Sequence, residues 1–186
     1  MDEPKEVKLV PLFIKTIVWD QKRKGFYSPS KIDFLWKDGI IVAGCDKCAI
    51  FGDIQDDCTC GIYGSPNPET LDEYIEYPNS IIVLMRAYGT LDVWTAPKDL
   101  PGEFYVIRSW GARIVGVIAD NWKTGMAEYG QRGTSVGYAL EVFSGSMAYK
   151  WKLAREMIRA TWMFHLKDRN DRPLDPFNGY EGYKWD

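Results

Sequence analysis

Apolar positions come in short runs rich in β-branched and aromatic residues up to about residue 120, and in a helical rhythm near the C-terminus. Residues 8–19 read as a first strand, with Pro11 marking an edge or a late start, and lead into the basic turn Gln21-Lys22-Arg23-Lys24-Gly25. Residues 32–43 hold two short apolar runs around Lys37-Asp38-Gly39, where Asp-Gly signals a hairpin. Ser65-Pro66-Asn67-Pro68 is a loop, and Glu69 to Tyr77 reads as a short helix opened by acids and ended before Pro78. Four strands are then expected at 80–88, 91–95, 103–109 and 113–119, the last two joined through Ser109-Trp110-Gly111-Ala112, as an antiparallel meander.

The rhythm changes after residue 130. Met147, Trp151, Ala154, Ile158, Thr161 and His165 recur at three or four residues behind Ser144-Gly145-Ser146, which predicts the main helix over 146–166 with its aromatic stripe on the sheet. A shorter helix over 134–143 is weakened by Gly137. The tail beyond Pro173 has no period, and its rings Tyr180, Tyr183 and Trp185 either tack it down or leave it loose. No internal repeat or long linker divides the chain, so residues 1–186 are read as a single α+β domain. It comprises an antiparallel β-sheet, an inserted cysteine knuckle at 44–64 and a long C-terminal helix.

Composition narrows the class further. The chain has 186 residues, 46% hydrophobic and 15% aromatic, which excludes a disordered polypeptide and supports a sizeable core. No apolar run approaches the roughly 20 residues that cross a bilayer, and the acidic start Met1-Asp2-Glu3 is unlike a signal peptide. A cytoplasmic protein with no membrane partner is the expectation. The net charge of −3 hides a division: residues 33–80 carry ten acids against two lysines, whereas residues 146–172 carry seven cations against three acids. The acidic stretch is a poor surface for phosphates. The C-terminal one, if not simply the solvated face of a helix, is a possible one.

All four cysteines fall within sixteen residues, as Cys45-Asp46-Lys47-Cys48 and Cys58-Thr59-Cys60. Two close thiolate pairs joined by a loop can wrap one tetrahedral ion, and Gly61 helps the backbone turn behind the tighter pair. A structural zinc held by Cys45, Cys48, Cys58 and Cys60 is the first reading, because four protein sulfurs leave no position open for water or substrate. An iron–sulfur cluster fits the ligand set, though the Cys-x-Cys pair suits it less. Disulfides or a thiol-redox site are the third reading; no helix is expected after Cys45 to lower its pKa, and a cytosolic pool disfavours disulfides. Ala49-Ile50-Phe51, inside the loop, is expected to pack the knuckle against the body.

Cys58-Thr59-Cys60-Gly61-Ile62-Tyr63 resembles a Cys-x-Cys-Gly-Ile-Tyr segment of small uncharacterised actinobacterial and phage proteins. There an upstream Trp and Cys precede the segment and a Gly-rich strand pair follows; Trp36, Cys45 and the strands from Ile81 to Ala119 correspond, over residues 25–120. The resemblance implies a shared fold and cysteine site and brings no activity. Gly61-Ile62-Tyr63 with Tyr74-Ile75-Glu76 also resembles the GIY-YIG nucleases. That resemblance implies Tyr63 helping to activate the nucleophile, Arg86 stabilising phosphate charge and Glu128 holding a divalent ion, although Glu76 stands where the motif has Gly.

Other chemistry is sparse. His165, the single histidine, lies on the apolar side of the expected helix and reads as a core or boundary imidazole, and no phosphate-binding Gly-rich loop occurs. The reading is therefore a non-enzymatic, zinc-stabilised binding protein acting through protein–protein contact. The alternative is nucleic-acid binding through Lys22, Arg23, Lys24, Lys150, Lys152, Arg155, Arg159 and Lys167, and a nuclease is the third.

Overall fold

The computed structural model of the chain describes residues 10–20, 22–23, 25–29, 31–36, 40–43, 45–71, 80–95, 104–120 and 146–179. The expected helix at 134–143, Lys24, Tyr74 and Glu128 lie outside them. The strands are β1 (Leu12–Asp20), β2 (Gly25–Ser28), β3 (Lys31–Trp36), β4 (Ile40–Val42), β5 (Ile62–Gly64), β6 (Ser80–Thr95) and β7 (Tyr105–Asp120). The helices are α1 (Asp46–Phe51) and α2 (Met147–His165). The α+β expectation holds: an antiparallel sheet in the order β3-β2-β1-β6-β7-β4, with β5 also on β7, carries a C-terminal helix.

Two expected pairs of strands are each one strand. β6 runs unbroken through Gly89, which takes φ +78° in a bulge where a side chain would meet Trp110 Cβ at 2.5 Å. β7 likewise runs through Ser109-Trp110-Gly111-Ala112, and Gly111 is small because the ring of Tyr88 covers it. Glycine is used here for close approach and bulging, not for turns. The Asp38-Gly39 hairpin is also corrected. β3 pairs with β2 and β4 with β7, at opposite ends of the strand order. Four Cα steps from Trp36 to Ile40 span at most about 14 Å, so the sheet is coiled until its ends lie close.

β5 completes the coil. It pairs with β7 through Ile62, Tyr63 and Gly64, and the next residue, Ser65, exchanges backbone hydrogen bonds with Ile14 of β1 at 2.7 and 3.0 Å. The ring β1-β6-β7-β5 thus returns to β1. Gly64 sits at this seam, where a Cβ would lie 2.1 Å from Phe13 Cδ2 and 2.6 Å from the Ile14 carbonyl oxygen. That carbonyl is fixed by the Ser65 amide. Gly64→Ala is therefore expected to lose about 1–3 kcal/mol through overpacking, seen as a lower denaturation midpoint with an unchanged slope.

The helix covers this barrel-like sheet. Ser146 caps α2 by accepting the Tyr149 amide, and Trp151, Ala154, Ile158 and Trp162 form its buried stripe. Trp162 is fully buried, donates from Nε1 to the Leu12 carbonyl at 2.7 Å and meets Tyr105 edge-on. Of the residues expected as a helix at 69–77, Pro68–Leu71 form a 3₁₀ turn, and 72–79 lie outside the described residues. The tail is tacked down as far as residue 179: Phe177 is buried against Trp151, and Asp175 pairs with Arg159.

Candidate metal centre

Three short elements bring the cysteines together. β4 delivers Cys45, α1 carries Cys48 on its buried side, and the return loop places Cys58 and Cys60 just before β5. All four sulfurs lie within 4.8 Å of one another, with Cys45 3.3 Å from both Cys58 and Cys60, and Cys60 3.1 Å from Cys48. These separations are too long for an S–S bond of about 2.05 Å, and all four thiols are free. A tetrahedron with arms of about 2.3 Å has edges near 3.8 Å, inside the range the four sulfurs span. The cluster can hold one metal ion. Cys48 and Cys60 are buried with Ala43 in a small apolar core of their own, flanked by Trp110.

Local backbone geometry supports a thiolate at Cys45. The Cys48 amide donates to Cys45 Sγ at 3.3 Å, and the Cys60 amide to Cys58 Sγ at 3.3 Å. That Cys48 amide bond, with the neighbouring sulfurs, brings the Cys45 thiol down to about 6. Burial instead pushes the Cys48 and Cys60 thiols up. A cation in the middle supplies the charge that the two buried sulfurs need to ionise. A helix does follow Cys45, contrary to the sequence expectation. Its six residues begin at Asp46.

The knuckle is fastened to the sheet at two points that the sequence did not reveal. Arg108 on β7 donates from Nη1 to the Cys58 carbonyl and binds Asp92 of β6 through Nε and Nη2. Asp53, between the cysteine pairs, accepts from the amide and hydroxyl of Thr90 at the β6 bulge and from the Ile54 amide. Asp92 and Arg108 face each other only because of the strand register, a long-range fact with no local signature. Ile50 and Phe51 do not pack against the body: they are 80% and 65% exposed.

Several of the basic residues have partners within the fold. Arg23 pairs with Asp20, Arg155 lies 5.0 Å over the Phe177 ring, Arg159 pairs with Asp175, and Lys167 pairs with Asp171. Of the cations proposed for nucleic acid, Lys22, Lys150 and Lys152 are the described ones left without an ion pair. The nuclease-like residues are also apart. Tyr63 stands opposite Arg108, whereas Arg86 stands opposite Arg113, about 16 Å further along β7 at about 3.3 Å per residue. The Tyr63 hydroxyl is spent on the Thr59 carbonyl at 2.6 Å. His165 is half-buried beside Phe164, with burial lowering its pKa. Among the described residues no helix is long and apolar enough to cross a membrane. No protein-family model matches the chain, and no curated protein or solved structure is similar to it.

Proposed function

We propose that the protein is a zinc-stabilised, non-enzymatic binding module whose knuckle presents a protein-docking surface. The observation that carries this reading is the exposure of Ile50 and Phe51 at the end of α1, in a stretch of chain that also exposes Asp46, Asp56 and Asp57, the last paired with Lys47. Two adjacent large apolar side chains on a short helix, in a chain segment with more exposed acids than bases, suit a partner surface that carries both apolar and basic groups. The ion's part is structural: four sulfurs from one short stretch fill a tetrahedral zinc and leave it no open position. The nucleic-acid alternative gains little, since Arg155 and Arg159 serve the tail.

The double variant Ile50→Ser/Phe51→Ser is expected to keep its stability within about 0.5 kcal/mol, because both residues are surface positions. It is expected to retain one zinc per chain by elemental analysis. A photo-crosslinking amino acid at position 51 should capture a protein from host lysate in a nuclease-insensitive way, and the Asp56→Lys/Asp57→Lys form should not. Capture of nucleic acid, or capture indifferent to the charge change, would overturn the reading.

A further inference from the structure

A lysine stands among the core residues of the first strand. Alternation places Lys15 on one face of β1 with Phe13 and Ile17, both fully buried, and its partner on β6, Val83, is fully buried as well. Lys15 itself keeps some contact with solvent. Its ammonium donates to the Tyr63 carbonyl of β5 at 2.8 Å and meets no carboxylate among the described residues. The seam between β1 and β5 puts the amine there. Ile14 and Ser65 form an isolated bridge and exchange both backbone hydrogen bonds. In a continued antiparallel ladder the next pair to do so would be Thr16 and Tyr63. The Tyr63 carbonyl receives the Lys15 amine instead, so the strands part beyond the bridge and the amine stands at the opening. The buried Thr16 hydroxyl beside it in sequence has no hydrogen-bond partner.

An ammonium without a counter-ion in apolar surroundings is costly, and burial brings the Lys15 amine down to about 8. A neutral donor such as a hydroxyl would cap the Tyr63 carbonyl without that cost, so capping alone does not account for a lysine at this position. A desolvated lysine that sheds its proton this readily is a nucleophile. Its apolar neighbours Phe13, Ile17 and Val83 favour an uncharged, apolar reactant over an anion.

We propose that Lys15 is a covalent binding site for small apolar aldehydes, which it holds as a Schiff base at the opening between β1 and β5. The lone pair of the neutral amine attacks the carbonyl carbon and forms the C–N bond. Both amine protons pass to the carbonyl oxygen, which leaves as water, and a C=N bond results with no change of oxidation state. A protonated imine keeps one N–H for the Tyr63 carbonyl, so the contact that holds the amine also holds the adduct. Neither the metal nor Ile50 and Phe51 take part, so this proposal and the docking surface can fail separately.

Reductive trapping tests it. The full chain is incubated with limiting butanal and cyanoborohydride, which reduces each imine to a stable secondary amine, and the modified lysines are located by peptide mass mapping. At neutral pH, Lys15 is expected to be modified at least about tenfold faster than the exposed Lys22 and Lys152, because far more of it is unprotonated. Its rate should level off near pH 8, while those of the exposed lysines climb toward about pH 10. The preference should vanish in guanidinium-unfolded chain and be unchanged in Ile50→Ser/Phe51→Ser. Lys15→Arg, which keeps a donor for the Tyr63 carbonyl, should lose the fast site and no other. Modification of Lys15 no faster than that of Lys22 and Lys152, or a preference that survives unfolding, would overturn the proposal. Slowing at Lys15 by inorganic phosphate at constant ionic strength would show an anion site and overturn the aldehyde assignment.

Discussion

Cys48→Ser is expected to yield protein without metal and without a folded knuckle, at an apparent loss on the order of 10 kcal/mol, the scale of structural zinc in small modules. Cys48 is fully buried and its sulfur lies 3.1 Å from that of Cys60, so a serine hydroxyl there leaves the three remaining sulfurs with an incomplete shell. The damage spreads beyond the site. Cys60 is followed directly by Gly61 and then by β5, the strand that joins β7 back to β1. A total stability of about 5–15 kcal/mol cannot absorb such a loss. Elemental analysis and guanidinium denaturation of wild type, chelated wild type and Cys48→Ser provide the check. Chelated protein should unfold like the variant, and mild acid should release the ion, because protons compete with the metal for the four thiolates. A soluble Cys48→Ser protein with full metal content and an unchanged midpoint would refute the structural role.

Trp162→Ala is expected to cost about 3–5 kcal/mol, the range for emptying a large aromatic site in a core. Trp162 fills the contact between α2 and the sheet, and its loss also strips the Leu12 carbonyl of its indole donor. Trp162→Phe keeps much of the buried area and loses the hydrogen bond, so about 1–2 kcal/mol is expected. Denaturant midpoints of the three proteins measure both steps. Equal midpoints for wild type and the alanine form would show that α2 is not the cover of the core.

Local signals read correctly from the sequence were those with short-range causes. The cysteine spacing, the Ser146 cap and the stripe of Trp151, Ala154 and Ile158 each follow from residues a few positions apart, and the structure keeps all three, although the buried residue of the following turn is Trp162 and not Thr161 or His165. The errors have long-range causes. Gly89 and Gly111 look like breaks until the rings of Trp110 and Tyr88 are seen to need their space. Asp38-Gly39 looks like a hairpin until β4 is found beside β7, some seventy residues on. Ile50 and Phe51 look like packing residues because they are apolar, yet α1, six residues long, turns Cys48 inward and leaves them exposed. The bracing of the knuckle by Arg108 and Asp53 depends on strand register and was legible to no local pattern.

The bond from Trp162 to Leu12 joins residues 150 positions apart. During synthesis at about 5–20 residues per second, β1 would wait roughly 8–30 s for its cover to be made. The cysteine module, complete within sixteen residues, is free of that delay. The four cysteines can therefore gather on a nascent chain while β1, already beside β2, still lacks its helical cover.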